Sequence, residues 1–325
     1  MPRRSWLALG LLLGSALDAA LGDPRHAHPV AAFGKAAARV EDRIWADSRT
    51  RGAVFTAACA GSVTSAGFAV QRLSTRSSAG RRTPVAHVAA VVGAALATWT
   101  VLGGASLAAE ASHMAMAIEA GDLDSARRRL PALCGRDPQG LGVAELARAT
   151  VESLAENTSD AVVAPLFWGA ACGLPGLLGY RAVNTLDAMV GHHSPRYERF
   201  GWAAARLDDA ANLLPARVTG LLAVALAPAV GGNARHALHT MRRDGAAHPS
   251  PNGGRCEAAF AGALDVRLGG VNTYQGRVER RGTLGDGEPP TAADIVRAIR
   301  LSRLVSAAAT MLAAVMACAR WARLP

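Results

Sequence analysis

Acidic residues recur at intervals of four in the middle of the chain. Glu152, Glu156 and Asp160 would share one face of a helix, and an uncharged run from 161 to 180 follows them at once. Carboxylates held against apolar sequence are costly unless they bind something, and carboxylate oxygens bind Mg²⁺ together with phosphate groups. We therefore predict a functional role for Glu156 and Asp160. For Glu152, nearest the presumed membrane interface, a helix cap or an ion pair is an equal alternative.

A second polar stripe follows the uncharged run. Arg181, Asn184 and Asp187 are spaced by three residues and would also share a helical face. Their apolar surroundings favour a function for Asp187. Asp208, which precedes the next apolar segment, could equally pair with an arginine at the membrane surface. Asn157 and Asn184 could equally form hydrogen bonds between helices.

Apolar segments must position both stripes, and several approach or exceed the roughly 20 residues that span a bilayer. The first resembles a signal peptide, but Asp18 and the motif from 21 to 34 follow too closely for cleavage there, so we predict a retained anchor. The pattern predicts an all-α, polytopic membrane protein of one domain, 1–325, with about five or six membrane-associated helices. From 249 to 276 we predict turn residues and a short helix that ends in a Gly-rich loop, and from 279 to 290 a polar loop. The apolar segments are 6–21, 53–71, 84–109, 161–180, 218–234 and 304–319.

The sequence Gly173-Leu174-Pro175-Gly176 interrupts the central apolar run. Glycine and proline in this order favour a chain reversal, which predicts a re-entrant hairpin. The roughly 12 residues before the turn would give ~18 Å of helix, which reaches the middle of a ~30 Å hydrocarbon core without crossing it. Glu156 and Asn184 would then open to the same aqueous compartment. One kinked span is the alternative, because membrane helices tolerate proline and glycine.

Composition favours a membrane protein and argues against several other classes. Half of the residues are apolar and 18% are charged, and the net charge of +10 comes almost entirely from arginine because Lys35 is the only lysine. The arginines are scattered and only three tyrosines accompany them, so no nucleic-acid surface is predicted. Five cysteines without a C-x-x-C pair indicate reduced packing residues. The sequence contains no Walker loop, dinucleotide fingerprint or G-x-S-x-G elbow.

Several long motifs occur in order along nearly the whole chain. They are LGDPRHAHPVAAFG at 21–34, ENTSDAVVAP at 156–165, YRAVNTLDAMVG at 180–191, FGWAAARLDDAANLLPAR at 200–217 and AFAGALDVRLGGVNTYQG at 259–276. This pattern resembles the CobD/CbiB family, the adenosylcobinamide-phosphate synthases of cobalamin biosynthesis. The resemblance implies an amide bond formed between (R)-1-amino-2-propanol phosphate, or free aminopropanol, and the propionate carboxylate of adenosylcobyric acid. ATP and Mg²⁺ would be required, and the product would be adenosylcobinamide phosphate.

The implied reaction is chemically consistent with these residue types. A carboxylate is a poor acyl donor at neutral pH, so it must first become an acyl phosphate or a similar anhydride. A metal ion would neutralise the charge on the transferring phosphoryl group. We also expect a multi-pass location in the cell membrane, contact with the lipid bilayer, no nucleic-acid partner, and association with other late enzymes of the cobalamin pathway. A transporter whose intramembrane carboxylates bind cations or protons is the main alternative, and a non-enzymatic membrane scaffold is a third.

The resemblance and the residue types together assign predicted roles. Catalysis falls to Glu156, Asp160 and Asp187, which would also bind Mg²⁺, with Asp208 and Asp209 in support. Phosphate binding falls to Arg181, Arg206 and Arg217, and contact with the corrin or the amine falls to His28, Asn272 and Tyr274. Asp23, Asn157 and Asn184 complete the predicted substrate site, although Asp23 could equally cap a turn.

Overall fold

The fold is predominantly helical. A computed structural model describes residues 6–24, 28–76, 84–192, 194–274 and 277–322, so motif residues 25–27 and 275–276 lie outside the described residues. Within these ranges the chain forms thirteen α-helices and one two-stranded sheet, which confirms the all-α prediction. The helices are α1 (Trp6–Leu21), α2 (Pro29–Ile44), α3 (Arg49–Arg76), α4 (Pro84–Val101), α5 (Gly104–Glu119), α6 (Leu123–Arg129), α7 (Val143–Thr158), α8 (Ala164–Cys172), α9 (Leu174–Val190), α10 (Trp202–Leu226), α11 (Ala234–Asp244), α12 (Gly253–Leu264) and α13 (Ala292–Ala322), and the strands are β1 (Leu268–Tyr274) and β2 (Arg277–Leu284).

Four helical segments of the described chain are long and apolar enough to cross a membrane. They are Arg49–Ser74, Pro84–Glu119, Trp202–Val230 and Ala292–Ala319, and the shorter apolar helix α1 adds to them. Large apolar side chains stand exposed along these segments, as Val85, Val88 and Val92 do on α4. Exposed apolar faces of this size are typical of lipid contact. The polytopic prediction is therefore confirmed.

The chain folds into two compact units, each built from separate stretches of sequence. Unit 1 comprises 1–103, 164–212 and 309–325, and unit 2 comprises 104–163 and 213–308. The polar stripe of α9 and the acidic pair of α10 belong to unit 1. The stripe of α7 and the Gly-rich motif near the C-terminus belong to unit 2. The prediction of a single domain stays a prediction.

Small residues allow close helix packing in unit 1. Gly10 and Gly14 of α1 lie against Ala94 and Thr98 of α4, where an added Cβ would overlap the neighbouring helix. Stripes of small residues of this kind let membrane helices approach closely. The signal-like segment is thus a packed helix, as the prediction of a retained anchor requires.

A helical hairpin occupies the central apolar run. Helix α8 ends at Cys172, Gly173 adopts a φ of +76°, and α9 begins at Leu174 with Pro175 in its first turn. The two helices pack against each other, and the Cα of Gly176 fits beside the carbonyl of Trp168. Residues 161–180 are therefore broken into separate helices, which is the backbone that a re-entrant hairpin needs. Its depth in a bilayer stays a prediction.

Unit 2 departs from the predicted elements. Where a Gly-rich loop and a polar loop were predicted, the chain forms an antiparallel hairpin, in which β1 pairs with β2 from Leu268 opposite Leu284 to Tyr274 opposite Arg277. The strands lack the alternation of apolar and polar residues that indicates a strand. Gly269 and Gly270 take φ values of +80° and +90° at an irregularity in the pairing, which side chains would disfavour. A glycine pair predicts a loop from sequence, but here it forms a bulge.

Candidate functional site

In unit 1, α9 and α10 bring part of the predicted site together. Tyr180 Oη donates to Asn212 Oδ1 at 2.9 Å, and Asn212 Nδ2 donates to Asp208 Oδ2 at 2.9 Å. Asn184 Nδ2 donates to Asp208 Oδ1 at 3.4 Å, and Arg181 Nη1 donates to Asn184 Oδ1 at 3.3 Å. Asp208 is only 8% exposed. The polar residues of α9 therefore form one hydrogen-bonded chain with Asp208 and Asn212 of α10. Asp208 is buried within this chain and is not exposed at a surface.

The other predicted residues of unit 1 are less buried. Asp187 is partly buried on α9 and lies beside Gly191, whose backbone N–H donates to the Asp187 carbonyl at 2.6 Å. His28 Nδ1 accepts from the Val30 N–H at 3.2 Å and caps α2. Of the remaining predicted residues, Asp23 and Asp209 are partly buried and Arg206 is exposed.

In unit 2, α7 carries the first acidic stripe as predicted. Its sixteen residues place Glu152 and Glu156 one turn apart, and a π-helical turn from Ser159 to Val163 follows and contains Asp160. Such turns widen the helix and often occur at functional positions. Asn157 Nδ2 donates to the Ser153 carbonyl at 3.0 Å, so this amide bonds within its own helix. Of the other predicted residues, Arg217 is exposed and donates to the Leu213 carbonyl at 2.6 Å.

Glu152 is a buried anchor of unit 2. It is 4% exposed and forms an ion pair with Arg136, which is also 4% exposed. The backbone N–H of Gly269 donates to Glu152 Oε1 at 2.7 Å, and Arg148 Nη1 lies 4.0 Å from the same oxygen. Glu152, which we expected near the membrane interface, thus connects α7 to the start of the β hairpin. Burial of the guanidinium lowers the pKa of Arg136, but the charge of Glu152 and its hydrogen bond, together with smaller contributions, raise that pKa overall.

Glu156 is partly buried and belongs to a network that the sequence did not reveal. Burial raises the pKa of its carboxyl, Arg281 of β2 lowers it, and Glu152 raises it further. The Arg281 guanidinium stacks 5.0 Å from the ring centre of Tyr274, and its Nη1 lies 3.0 Å from Nε2 of His248. Burial, followed by the charge of Arg281, lowers the pKa of His248 to about 4. The structure therefore brings the predicted residues Glu156 and Tyr274 together around one arginine.

Glu257 completes this network and was missed from the sequence. It is 1% exposed on α12, and its Oε1 lies 3.5 Å from His248 Nε2. Neither of its oxygens has a hydrogen-bond partner among the described residues. Burial, and then the charges of Glu152 and Glu156, raise the pKa of Glu257 well above its usual value. We refer to Arg136, Glu152, Glu156, His248, Glu257 and Arg281 as the buried polar cluster.

Asn272 is also buried without partners. This predicted residue is 2% exposed on β1, and within the described chain neither its amide nitrogen nor its oxygen forms a hydrogen bond. Buried polar groups are nearly always paired, so unpaired ones mark a place where a ligand or water is expected. One signal in the sequence could have revealed Glu257, which is a lone carboxylate in the Ala-rich stretch of α12. Arg136 and His248 carried no comparable signal.

The predicted Mg²⁺ ligands fall in both units. Glu156 and Asp160 belong to unit 2, whereas Asp187, Asp208 and Asp209 belong to unit 1. Within the described ranges, no three His, Cys, Asp or Glu side chains are grouped closely enough to hold a metal ion. Proteins commonly bind Mg²⁺ through one or two carboxylates and leave the rest of the shell to water and substrate phosphates. The metal assignment stays a prediction.

Comparison with known proteins identifies the family. The family described as CobD/Cbib protein matches residues 11–302. Proteins named "Cobalamin biosynthesis protein CobD" are 53% identical in Mycobacterium tuberculosis, covering 95% of this chain and 95% of the relative, and 44% identical in Geobacter metallireducens, covering 92% and 93%. One from Rhodobacter capsulatus is 41% identical, covering 94% and 96%. No solved structure matches the chain. With this coverage at these identities, the chain belongs to the CobD/Cbib protein family.

Proposed function

We propose that this protein is a membrane-bound, ATP-dependent ligase of cobalamin biosynthesis. It would join (R)-1-amino-2-propanol phosphate, or the free amine, to the propionate carboxylate of adenosylcobyric acid and release adenosylcobinamide phosphate. A role in cobalamin biosynthesis is supported by family membership and by the name that the relatives share. A multi-pass place in the cell membrane is supported by the four long apolar helices.

The buried polar cluster is the observation that carries the proposal. Its residues lie on α7, α12, β2 and the connecting segments, all outside the four apolar segments. A buried polar group without a hydrogen-bond partner costs about 1–3 kcal/mol, so a scaffold has no reason to keep an unpartnered carboxyl group such as Glu257. A transporter would instead place its ionisable site between broken helices at the membrane midplane. An enzyme whose chemistry takes place beside the membrane agrees better with this placement.

The donor groups fit the reactants of the proposed reaction. Mg²⁺, when bound, would supply charge neutralisation on the phosphates, and Glu156 with Asp160 would hold it in unit 2 through oxygen ligands. Guanidinium groups such as Arg281 donate to phosphate oxygens in a fixed planar geometry. Burial keeps water away from an activated carboxyl group and strengthens each of these contacts. In unit 1, Asp187 and Asp208 would support the same chemistry, as the resemblance implies.

The decisive experiment is an assay of the full chain purified in detergent. Adenosylcobyric acid, aminopropanol phosphate, ATP and Mg²⁺ would be supplied together, and each would be omitted in turn. We expect adenosylcobinamide phosphate, identified by mass spectrometry, and ATP consumption that requires both the corrinoid and the amine. ATP use that is independent of either substrate would contradict the proposal, as would corrinoid uptake into sealed liposomes without product.

A further inference from the structure

Glu257 has no cation assigned to it inside the buried polar cluster. Arg136 forms an ion pair with Glu152, and Arg281 acts electrostatically on Glu156. Both guanidinium groups also act on Glu257, so its carboxylate faces the same interior. Yet neither carboxylate oxygen accepts a hydrogen bond from any described residue, although the side chain is 99% removed from solvent, with 1% exposure. A buried carboxyl group in this state keeps its proton unless a further positive partner binds beside it.

His248 cannot be that partner. Its Nδ1 accepts the Ser250 N–H at 3.0 Å, and its Nε2 lies 3.0 Å from Arg281 Nη1, which can only donate. With Nδ1 accepting, the neutral ring carries its proton on Nε2, and the 3.5 Å to Glu257 Oε1 is too long for a strong hydrogen bond. In the other tautomer Nδ1 donates to the Ser250 carbonyl at 3.4 Å, and Nε2 accepts from Arg281 and presents only a lone pair to Glu257. The ring is neutral in both tautomers, because burial lowers its pKa to about 4, so it supplies no positive charge to balance Glu257.

Spare donors lie across the same interior. Nε and Nη1 of Arg136 and Nε of Arg281 form no hydrogen bond within the described chain, and Arg136 is 4% exposed. Asn272 adds an unpaired amide nitrogen and an unpaired oxygen on the buried face of β1. The site thus combines an acceptor for a cation with donors for an anion. Spare guanidinium N–H groups match the oxygens of a phosphate.

We propose that the buried polar cluster binds a small zwitterion, with the ammonium group on Glu257 and the phosphate on Arg136 and Arg281. The amino-alcohol phosphate of the proposed reaction has these two charges on neighbouring carbons. The inference rests on the proposed function and deepens it, because it names the residues that select this substrate. Glu257 would distinguish an amine from its deaminated analogue, and Arg281 would distinguish the phosphate ester from the free alcohol.

A phosphatidylethanolamine headgroup carries the same pair of charges. In the lipid, however, the phosphate is a diester tied to acyl chains, while the cluster lies outside the four apolar segments. A free phosphate monoester also offers more oxygens to the spare guanidinium N–H groups. We therefore assign the site to the soluble ester.

Binding to the full chain in detergent tests this assignment through three probes. They are 1-amino-2-propanol O-phosphate, isopropyl phosphate, which lacks the ammonium, and 1-amino-2-propanol, which lacks the phosphate. By calorimetry, the unmodified protein should bind the first at least about tenfold more tightly than either analogue, as expected for a buried charge-assisted hydrogen bond. Equal affinities for the three probes in the unmodified protein would overturn the proposal without any variant.

Two variants assign the two charges. Glu257→Gln keeps the size of the side chain and should abolish the preference for aminopropanol phosphate over isopropyl phosphate, a loss of about 10- to 100-fold in affinity for the zwitterion alone. Arg281→Gln should abolish the preference for the ester over the free amine. Asp244→Asn is the matched control: this carboxylate is also buried in unit 2, but it accepts from Arg243 and from the Gly285 N–H. It should change neither ratio, and a retained amine preference in Glu257→Gln would overturn the assignment.

Two further outcomes separate this inference from the proposed function. If the protein shows these preferences but forms no amide product, the reaction fails and the zwitterion site stands. If product forms while Glu257→Gln keeps the amine preference, the site fails and the reaction stands. Vesicles of phosphatidylethanolamine should not displace the soluble ester, and displacement would overturn the assignment to the substrate.

Discussion

Two buried glutamates of unit 2 differ in what surrounds them, and they should respond differently to loss of charge. Glu152 is held by Arg136 and by the Gly269 N–H, so Glu152→Gln would leave a buried guanidinium without its counter-ion. Breaking a buried pair from one side typically costs about 3–5 kcal/mol. We expect a clear fall in the thermal unfolding temperature in detergent. Glu257→Gln should not lower it, because the Glu257 carboxyl group has no hydrogen-bond partner to lose.

The control for Glu152 is an ion pair at the surface of the same unit. Asp124 pairs with Arg127 at 2.9 Å with its side chain 79% exposed. Exposed pairs contribute at most about 1 kcal/mol, so Asp124→Asn should leave the unfolding temperature nearly unchanged. Equal effects of the two substitutions would mean that Glu152 does not anchor the hairpin.

His248 predicts how stability depends on pH. Its pKa falls to about 4 in the folded protein from an ordinary 6.5, so the unfolded chain binds the proton more readily between these values. Stability from this group is therefore complete above pH 6.5 and is lost as the pH falls toward 4, by up to about 3 kcal/mol. Glu257 acts in the opposite direction, since its raised pKa favours the protonated folded form at low pH. His248→Gln should lessen the acid loss of unfolding temperature.

The exposed His239 provides the comparison for this measurement. His239→Gln should follow the unmodified protein across the same pH range, because the side chain is hydrated in both states. Parallel curves for His248→Gln and the unmodified protein would show that the buried imidazole does not carry the acid sensitivity.

Asp187 tests the predicted site in unit 1. If its carboxylate serves the phosphate chemistry, Asp187→Asn should insert and fold normally but lose activity by roughly a hundredfold or more, because the amide keeps the shape and removes the charge. Asp47→Asn is a suitable control, since Asp47 is 60% exposed and pairs with Arg199 at 3.6 Å. Near-normal turnover by a folded Asp187→Asn protein would remove Asp187 from the site.

For single residues, spacing along the sequence predicted only which polar side chains share a face of one helix. It predicted a polar face that contains Asn184, and the structure joins Asn184 to Asp208 of the next long helix by a hydrogen bond. It missed Glu257 and Arg136 because each is a single polar residue without a periodic neighbour. Their importance arises from long-range contacts, which no local pattern records.

At the element scale, helices were predictable because apolar runs and helix-breaking residues mark them directly. The break at Gly173 occurs where the GLPG sequence indicates it. The β hairpin was not predictable, because β1 contains a glycine pair and β2 lacks an apolar face. The charged residues of β2 are three arginines, Arg277, Arg280 and Arg281, and one glutamate, Glu279. Its register depends on Glu152 holding the Gly269 N–H, a contact made across the fold.

The packing of α1 on α4 gives a prediction at this scale. Gly14 lies against Thr98 and the Ala95 carbonyl, so Gly14→Leu would force the two helices apart. Overpacking typically costs about 1–3 kcal/mol, and we expect a lower unfolding temperature and a lower yield in membranes. Gly93→Leu on α4 is the control, because no other group lies within 4 Å of a Cβ built there. Equal yields and unfolding temperatures for both variants would contradict a close α1–α4 contact.

At the scale of the whole molecule, composition predicted the membrane class but not the division into units. Apolar content and the lengths of the uncharged runs are properties of the sequence, and they agree with the four long helices. The two units each combine distant stretches of chain, 1–103 with 164–212 in one and 104–163 with 213–308 in the other. Such a division depends on which helices pack together, and hydropathy does not contain that information.

For the whole molecule, we predict that the mature protein retains its N-terminal helix. Helix α1 looks like a signal sequence, yet it packs on α4, and Trp99 Nε1 donates to the Gly22 carbonyl at 2.8 Å just beyond its end. Cleavage near Leu21 would remove this helix and expose the α4 surface that Ala94 and Thr98, both 0% exposed, form beneath it. We therefore expect peptides spanning 6–21 in the protein purified from membranes, detected by mass spectrometry after proteolysis. A mature N-terminus at or just after Gly22 would refute the retained anchor, and Gly14→Leu should then have no effect on the mature protein.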